Sequence, residues 1–297
     1  MNLDMLLGRR AEYLSNPSSL SEKGNTVNTP KIAILGAGPS AAFAFRACRD
    51  KKIMPDVFAN RITAPFGAFW LYRLPPSITK KQRQAIRVNL HTARVGTASG
   101  YALKMWGDPI LITSFPAMER NEFVYHPRKG LQLLWQGVKL THTRRMTDSD
   151  VRSLAQRYDL VFQTFPTERS RRLPNRVVPF ETYTQFSSTD SDFGLCLYNG
   201  LPESEWARVT YAFGRVSFEY PPDPNISTNK RMQREYRKGN WIVQVVNDIV
   251  PDVKPIAESP APNVFLIGRY ATWNRKELAH EAYEKVLGIV TSLEDGE

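Results

Sequence analysis

The chain has 297 residues, of which 42% are hydrophobic and 23% charged, and its formal net charge is +11. This composition is typical of a globular protein of one or two domains, and no apolar run is long enough to span a bilayer, so we expect no membrane role. The two cysteines and four histidines lack the spacing of a disulfide framework or a metal site, which predicts no metal centre and favours a reducing cytoplasm.

The N-terminal part of the chain predicts an extension followed by a strand, a glycine turn and a helix. Residues 1–30 end in a polar linker, and their apolar core is too short for a signal peptide. An apolar strand then begins at Lys31 and runs into Gly36-Ala37-Gly38-Pro39-Ser40-Ala41 and a helix-forming segment. In such a unit the first glycine permits a tight turn, the second lets the backbone approach a pyrophosphate, and the helix N-terminus supplies free N–H groups. The pattern predicts a nucleotide site at Gly36, Gly38, Pro39, Ser40 and Ala41, with a chance glycine-rich turn as the alternative.

The second predicted strand, residues 55–60, departs from the usual dinucleotide pattern. An acidic residue commonly stands at the end of this strand and binds the adenosine ribose. Here the chain offers Asn60 and Arg61. An asparagine can still hydrogen-bond a ribose, whereas Arg61 could pair with a 2′-phosphate or face solvent.

Later elements alternate between the two periodicities. A short strand is predicted at 137–140, a helix at 149–158 and an apolar strand at 159–166. Residues 176–220 alternate apolar and polar side chains, which predicts antiparallel strands. A buried strand at 263–268 and a helix at 278–292 follow near the end of the chain.

Several of these motifs, in this order, resemble FAD-dependent oxidoreductases of the UDP-galactopyranose mutase and flavin amine oxidase type. The likeness rests on the glycine turn, on Tyr101-x-x-Lys104-x-Trp106-Gly107, and on the ending Gly268-Arg269-Tyr270-Ala271-x-Trp273. It implies an α/β fold: a Rossmann-like, glutathione-reductase-like FAD-binding domain with an inserted antiparallel-sheet α+β substrate domain. The implied domains are the extension 1–30, the FAD-binding segments 31–75, 125–175 and 255–297, and the substrate segments 76–124 and 176–254.

The resemblance also implies roles for individual residues. The backbone of Val138 would touch adenine, and Thr164 would lie on the strand that closes one side of the FAD domain. Arg269 would pair with the pyrophosphate, because a guanidinium binds phosphate oxygens bidentately. Trp273 would wall the flavin.

A looser likeness joins residues 198–221 to small bacteriophage flavoproteins, some of which act in thymine hypermodification. It implies oxidative cleavage of a C–N bond in an amino-acid adduct of a DNA thymine, which would leave an aminomethyl base. The catalytic candidates are Lys104 and Trp106, from the motif that resembles the mutase family, together with Arg208 and Tyr220. Arg208 or Arg215 would clamp a carboxylate, and Tyr211 or Tyr220 would stand against the flavin.

The positive charge is clustered, and it leaves several partners open. Basic runs occur at 80–83, 144–145, 169–172 and 230–238. They predict either ordinary solvated surface or a polyanionic partner, which would be DNA with modified thymine or a phosphorylated or nucleotide-linked small substrate. The alternative functions are an NADPH-dependent or sugar-nucleotide flavoenzyme and a non-catalytic nucleotide- or DNA-binding protein.

Overall fold

The structure is a computed structural model, and it describes seven segments of the chain that build two sheets. These segments are residues 29–62, 69–111, 120–167, 177–186, 191–221, 240–250 and 258–294. Most of the predicted extension and the basic runs at 169–172 and 230–238 lie outside the described residues. Within them, no helix combines the length and apolar character needed to cross a membrane.

The first sheet is parallel and five-stranded, with the order β12-β6-β1-β2-β5. Both β1 and β6 are buried along their whole length, as expected for parallel strands covered on two faces. Its strands are β1 (Ile32–Leu35), β2 (Asp56–Ala59), β5 (Leu140–His142), β6 (Leu160–Gln163) and β12 (Val264–Leu266).

Helices α1 (Pro39–Asp50) and α7 (Glu281–Glu294) pack on each other beside this sheet. Proline at the first position of α1 is already set for the helix, and the following alanines and phenylalanines supply its buried face. Phe43 and Phe45 are fully buried with Val286 in the largest apolar cluster. The shorter helices are α2 (Lys80–Ala85), α3 (Ala98–Trp106), α4 (Pro127–Leu134), α5 (Asp148–Ala155) and α6 (Arg269–Thr272).

The second sheet has seven strands in the order β11-β7-β10-β9-β8-β3-β4. All its pairs are antiparallel except β3 with β8. The predicted antiparallel strands within 176–220 are thereby confirmed. Its strands are β3 (Arg87–Gly96), β4 (Arg120–Tyr125), β7 (Val177–Phe186), β8 (Phe193–Gly200), β9 (Arg208–Ala212), β10 (Arg215–Tyr220) and β11 (Trp241–Ile249).

Helix α3 lies against the end of β8 with almost no space between the two backbones. A Cβ atom on Gly200 would stand 1.9 Å from the carbonyl oxygen of Thr97, which caps α3, and one on Gly100 would stand 2.1 Å from the Gly200 oxygen. Only glycine fits at such an approach. The contact fixes where α3 begins over the sheet.

Several predicted elements have bounds that differ by a few residues from those of the structure, and for two of them the cause is local. The strand expected at 137–140 starts only at Leu140, because Gly137 has φ +80° and the Val138 N–H donates to the Trp135 carbonyl in a turn. The helix expected at 149–158 ends at Ala155, where its last turn gives way to the approach to β6. Helix α3 has no counterpart among the elements predicted from the sequence.

Candidate nucleotide and substrate sites

Gly36 turns the chain sharply at the carboxyl end of β1. Its φ is +106°, and an added Cβ would lie 2.4 Å from Thr164 Oγ1. Thr164 itself is tied to β1, since its backbone N–H and its hydroxyl both donate to the Leu35 carbonyl, at 3.0 and 2.8 Å. The predicted tight turn at Gly36 is present, and Thr164 shapes it from behind.

Gly38 caps α1 and leaves the start of that helix open. No side chain caps it, and a Cβ added there would meet no described atom within 4 Å. Pro39 carries no N–H, so the first N–H donors of the helix are those of Ser40 and Ala41, and the first turn of a helix has no carbonyl partners for them. A twelve-residue helix with open space over Gly38 fits a phosphate group.

The far end of the chain returns to this same point. Gly268 follows β12 with φ +88°, and its added Cβ would lie 2.1 Å from Ser40 Oγ. The Glu277 carboxylate holds the turn, because it accepts from Gly268 N–H at 2.7 Å and from Thr272 Oγ1 at 2.7 Å. Two motifs 230 residues apart therefore meet at one edge of the sheet. No sequence pattern pointed to Glu277.

Arg269 and Trp273 flank this junction. Arg269 is half-buried at the first position of α6. Trp273 is 5% exposed at the end of α6 with φ +53°, and its Nε1 has no hydrogen-bond partner among the described residues. A buried indole N–H of this kind is a donor available to a bound group.

The adenosine end of the predicted site carries no carboxylate. Asn60 and Arg61 are both exposed past the end of β2, and His142 Nδ1 lies 3.0 Å from the Asn60 carbonyl. Asp56, at the start of β2, instead accepts from the Tyr158 hydroxyl at 2.8 Å. Val138, predicted on the adenine strand, lies in the turn before β5, so its expected place within a strand is wrong.

Lys104 is engaged in holding a loop. Its Nζ donates to the carbonyls of Leu201 at 2.8 Å and Trp206 at 3.1 Å. Burial lowers the pKa of Lys104, and the nearby Glu203 carboxylate opposes that shift. The predicted catalytic lysine thus ties α3 to the segment between β8 and β9.

The Lys104 contact gives a first prediction. Lys104→Met removes two hydrogen bonds from a charged donor, and we expect the free energy of unfolding to fall by about 1 to 3 kcal/mol. Denaturant unfolding measures it, with Lys80→Met on the exposed start of α2 as the control. Loss of turnover at unchanged unfolding free energy would contradict this placement and restore a catalytic role.

Trp106 joins α3 to the C-terminal motif. The Arg275 guanidinium lies 4.6 Å from the Trp106 ring centroid, a cation–π distance, and Tyr101 meets the same ring edge-on. The indole Nε1 of Trp106 is buried and has no partner among the described residues. Trp106, the last residue of α3, therefore connects this helix to the chain just beyond Trp273.

One face of the second sheet is polar although it is buried. A row of hydroxyls and one thiol crosses five adjacent strands, and no member is more than 1% exposed. The row consists of Thr92, Cys196, Thr210, Ser217 and Thr184. Burial raises the pKa of the Cys196 thiol to about 11, so this thiol is protonated at neutral pH and is not a nucleophile.

The next row on the same face holds a buried ion pair. Arg208 Nε donates to Glu219 Oε2 at 2.6 Å, and its Nη2 lies 2.5 Å from the same oxygen. Burial alone would lower the pKa of Arg208, but the Glu219 carboxylate together with Tyr101, Tyr198 and Cys196 raises that pKa well above its usual value. Thr182, register partner of Glu219, has a buried hydroxyl without a partner among the described residues. Arg208 is thus already paired and is not an open carboxylate clamp.

Helix α3 and the residues before α2 lie against this polar face. Tyr101 of α3 packs edge-on against Tyr198 on it, with ring centroids 5.6 Å apart. Arg215, on the same face, donates to the Phe69 carbonyl at 3.0 Å. Burial lowers the pKa of Arg215 to about 10, which still leaves it charged at neutral pH.

Tyr220 lies on the opposite face of the sheet from Arg208. It follows Glu219 directly on β10, and successive side chains of a strand point to opposite faces. Its ring packs edge-on against Tyr183, with centroids 5.4 Å apart, and Tyr211 on this far face is 51% exposed. The structure does not bring Tyr220 or Tyr211 together with Arg208, because they lie on opposite faces of the sheet.

Comparison with known proteins gives a fold. No family model matches the chain, and no curated protein sequence matches it. The 2,6-dihydroxypyridine-3-hydroxylase of Arthrobacter nicotinovorans is 11% identical and aligns over 91% of this chain and 85% of its own, with a TM-score of 0.51. An FAD complex of an HpxO variant from Klebsiella pneumoniae is 13% identical over 88% of this chain and 80% of its own, with a TM-score of 0.47. This chain shares the fold of the hydroxylase.

Proposed function

We propose that this chain is an FAD-dependent oxidoreductase. The observation that carries the proposal is the meeting of Gly268 with Ser40 at the open start of α1. One edge then offers two N–H donors for a pyrophosphate, with Arg269 half-buried beside them. FAD would supply a two-electron acceptor when bound, and the resemblance of the glycine turn and of the Gly268 ending to FAD-dependent oxidoreductases supports this cofactor.

The residues fit the middle of this cofactor better than its adenosine end. The sequence has no acidic residue between Asp56 and Asp108, so Asn60 or Arg61 would have to serve the ribose. Trp273 and Trp106 each offer a buried indole N–H on the side of α3. We assign the pyrophosphate of FAD to the point where Gly268 meets Ser40. We assign the flavin half of the cofactor to the space between these tryptophans and the polar sheet face.

The polar face indicates the class of substrate. Burying hydroxyls and an ion pair is unfavourable unless they are hydrogen-bonded, and the Thr182 hydroxyl beside Glu219 has no partner among the described residues. A substrate with several hydrogen-bonding groups would recover that cost, whereas a plain hydrocarbon would not. This chain's residues would bind and orient such a substrate and exclude water around it.

Two reactions remain candidates, and the source of the electrons separates them. A monooxygenase needs an external two-electron donor, because its substrate supplies only two of the four electrons that reduce oxygen to the hydroxyl group and water. The shared hydroxylase fold favours this reaction. Oxidation of a C–N bond, including the thymine adduct suggested by the looser resemblance, draws both electrons from the substrate. Anaerobic bleaching by NADPH alone would favour the first reaction, and bleaching by an amine alone would favour the second.

The cofactor assignment gives a second prediction. Gly38→Val places a side chain in the open space over α1, where its Cβ would meet no described atom within 4 Å, so the fold should persist while a phosphate contact is lost. A hydrogen bond to a charged group is worth about 1.5 to 3 kcal/mol, so the FAD dissociation constant should rise about 10- to 100-fold. The visible absorption of the purified protein, before and after heat release, measures bound FAD.

The matched control is Gly288→Val, at a helical glycine of α7 whose added Cβ also meets nothing within 4 Å. We expect it to keep the flavin spectrum of the parent. A parent protein that is colourless and does not take up added FAD would sink the proposal. The site would then belong to a nicotinamide or sugar nucleotide, or to a non-catalytic nucleotide-binding protein.

A further inference from the structure

The β5 edge of the parallel sheet is basic and free of carboxylates over a long run of sequence. β5 stands last in the strand order β12-β6-β1-β2-β5. Residues 123–147, which contain β5, include five lysines and arginines and no aspartate or glutamate. The cations directly before β5 and in the bend after it are exposed, and they are Lys139, Arg144 and Arg145.

The two neighbouring strands bring a further cation to the carboxyl end of β5. Ala59 pairs with His142, and Thr143 N–H donates to the Ala59 carbonyl at 3.3 Å, so the two chains stay side by side past the sheet. Arg61 and Arg144 therefore leave adjacent strands, which lie about 5 Å apart. The first turn of α5 carries Asp148 and Asp150. Asp150 accepts from the N–H and hydroxyl of Thr147 and also interacts electrostatically with Arg144.

At the other end of β5, α1 contributes one more cation. Arg49 Nη1 lies 4.0 Å from where a Cβ of Gly137 would stand, and Arg49 is exposed. From Lys139 to Arg144 the chain spans at most about 17 Å at 3.3 Å per residue. One strand of DNA carries a phosphate about every 3.4 Å, so this length faces about five phosphates.

We propose that this basic edge, defined as Arg49, Arg61, Lys139, Arg144 and Arg145, binds the phosphate backbone of a nucleic acid. A lysine beside an edge strand can prevent that strand from pairing with another chain, which would explain Lys139. It would not explain the arginines beyond the end of β5. A membrane surface is disfavoured, because residues 128–147 expose no large hydrophobic side chain that could insert between lipids. The proposal does not depend on the redox function.

Salt-dependent binding to a short mixed-sequence duplex, followed by fluorescence anisotropy, tests the basic edge. The test variant is Lys139→Gln/Arg144→Gln/Arg145→Gln. The control, Lys80→Gln/Lys81→Gln/Arg83→Gln, removes the same charge from α2, where both lysines are exposed and Arg83 is half-buried. Each lost phosphate contact lowers the slope of log affinity against log salt by about 0.9, so the test variant should lose about 2.7 and at least about tenfold in affinity.

Three outcomes would overturn the proposal. In the first, the parent binds neither the duplex nor phosphatidylserine vesicles. In the second, the parent binds the vesicles and not the duplex. In the third, both variants lose the same affinity for the duplex, which would show a general effect of net charge. Circular dichroism of each variant confirms that the fold is kept. Bound flavin is measured in the same samples, and its retention alongside lost duplex binding separates failure of this surface from failure of the cofactor assignment.

Discussion

Replacing Arg208 with methionine is expected to lower the free energy of unfolding by about 3 to 5 kcal/mol. The reason is the partner left behind: the Glu219 side chain is 2% exposed, and the structure gives it two contacts from the Arg208 guanidinium. A carboxylate that loses its cation inside a sheet face cannot recover its hydration. Guanidinium or urea unfolding at constant pH measures the effect.

The double variant Arg208→Met/Glu219→Leu is the control for that prediction. It removes both charges, and replacing a buried pair by apolar groups is often neutral, so most of the lost stability should return. A single variant that unfolds like the parent would mean that Glu219 is hydrated, and the polar face would then be open to water. If both variants are stable but turnover is lost in each, the pair acts on the substrate.

Gly268→Ala is expected to lose bound FAD and to destabilise the protein by about 2 to 6 kcal/mol. Two costs combine there. A residue other than glycine at φ +88° is strained, and the new methyl group would lie 2.1 Å from Ser40 Oγ and 2.5 Å from Ser40 Cβ. Relief of the clash would have to push α1 away from β12, which opens the proposed pyrophosphate site. Flavin absorbance and thermal unfolding report the two effects separately.

A second substitution divides the strain from the clash. Ser40→Gly removes both atoms that the new methyl group meets, so Gly268→Ala/Ser40→Gly should regain the part of stability lost to overlap while keeping the backbone strain. Full FAD binding in Gly268→Ala would contradict the view that β12 and α1 must touch to form the site.

Short sequence patterns correctly predicted the elements that depend only on neighbouring residues. The apolar strand followed by Gly36 predicted the glycine turn, because few residue combinations allow a tight turn from a strand into a helix. The alternation in 176–220 predicted antiparallel strands for the same reason, because one face of each strand is buried. Shorter elements were misplaced: β5 begins three residues later than expected, where the turn at Gly137 outweighs the apolar pattern.

Contacts between distant segments were outside the reach of pattern reasoning. Glu277 binds the Gly268 turn, and Lys104 binds a loop 97 residues away, but neither partner is marked in the sequence. Arg208 was expected to meet a substrate carboxylate and instead meets Glu219, eleven residues on, because β9 and β10 form a hairpin in that register.

The sequence by itself determined the strand, glycine turn and helix around Gly36 and the excess of positive charge. Both are properties of residue type and short spacing. Only the tertiary structure decided that Gly268 closes on Ser40, that Tyr220 and Arg208 lie on opposite faces of one sheet, and that Arg61 and Arg144 leave neighbouring strands. Strand order and register set these relations, and both depend on pairing between segments far apart in the chain.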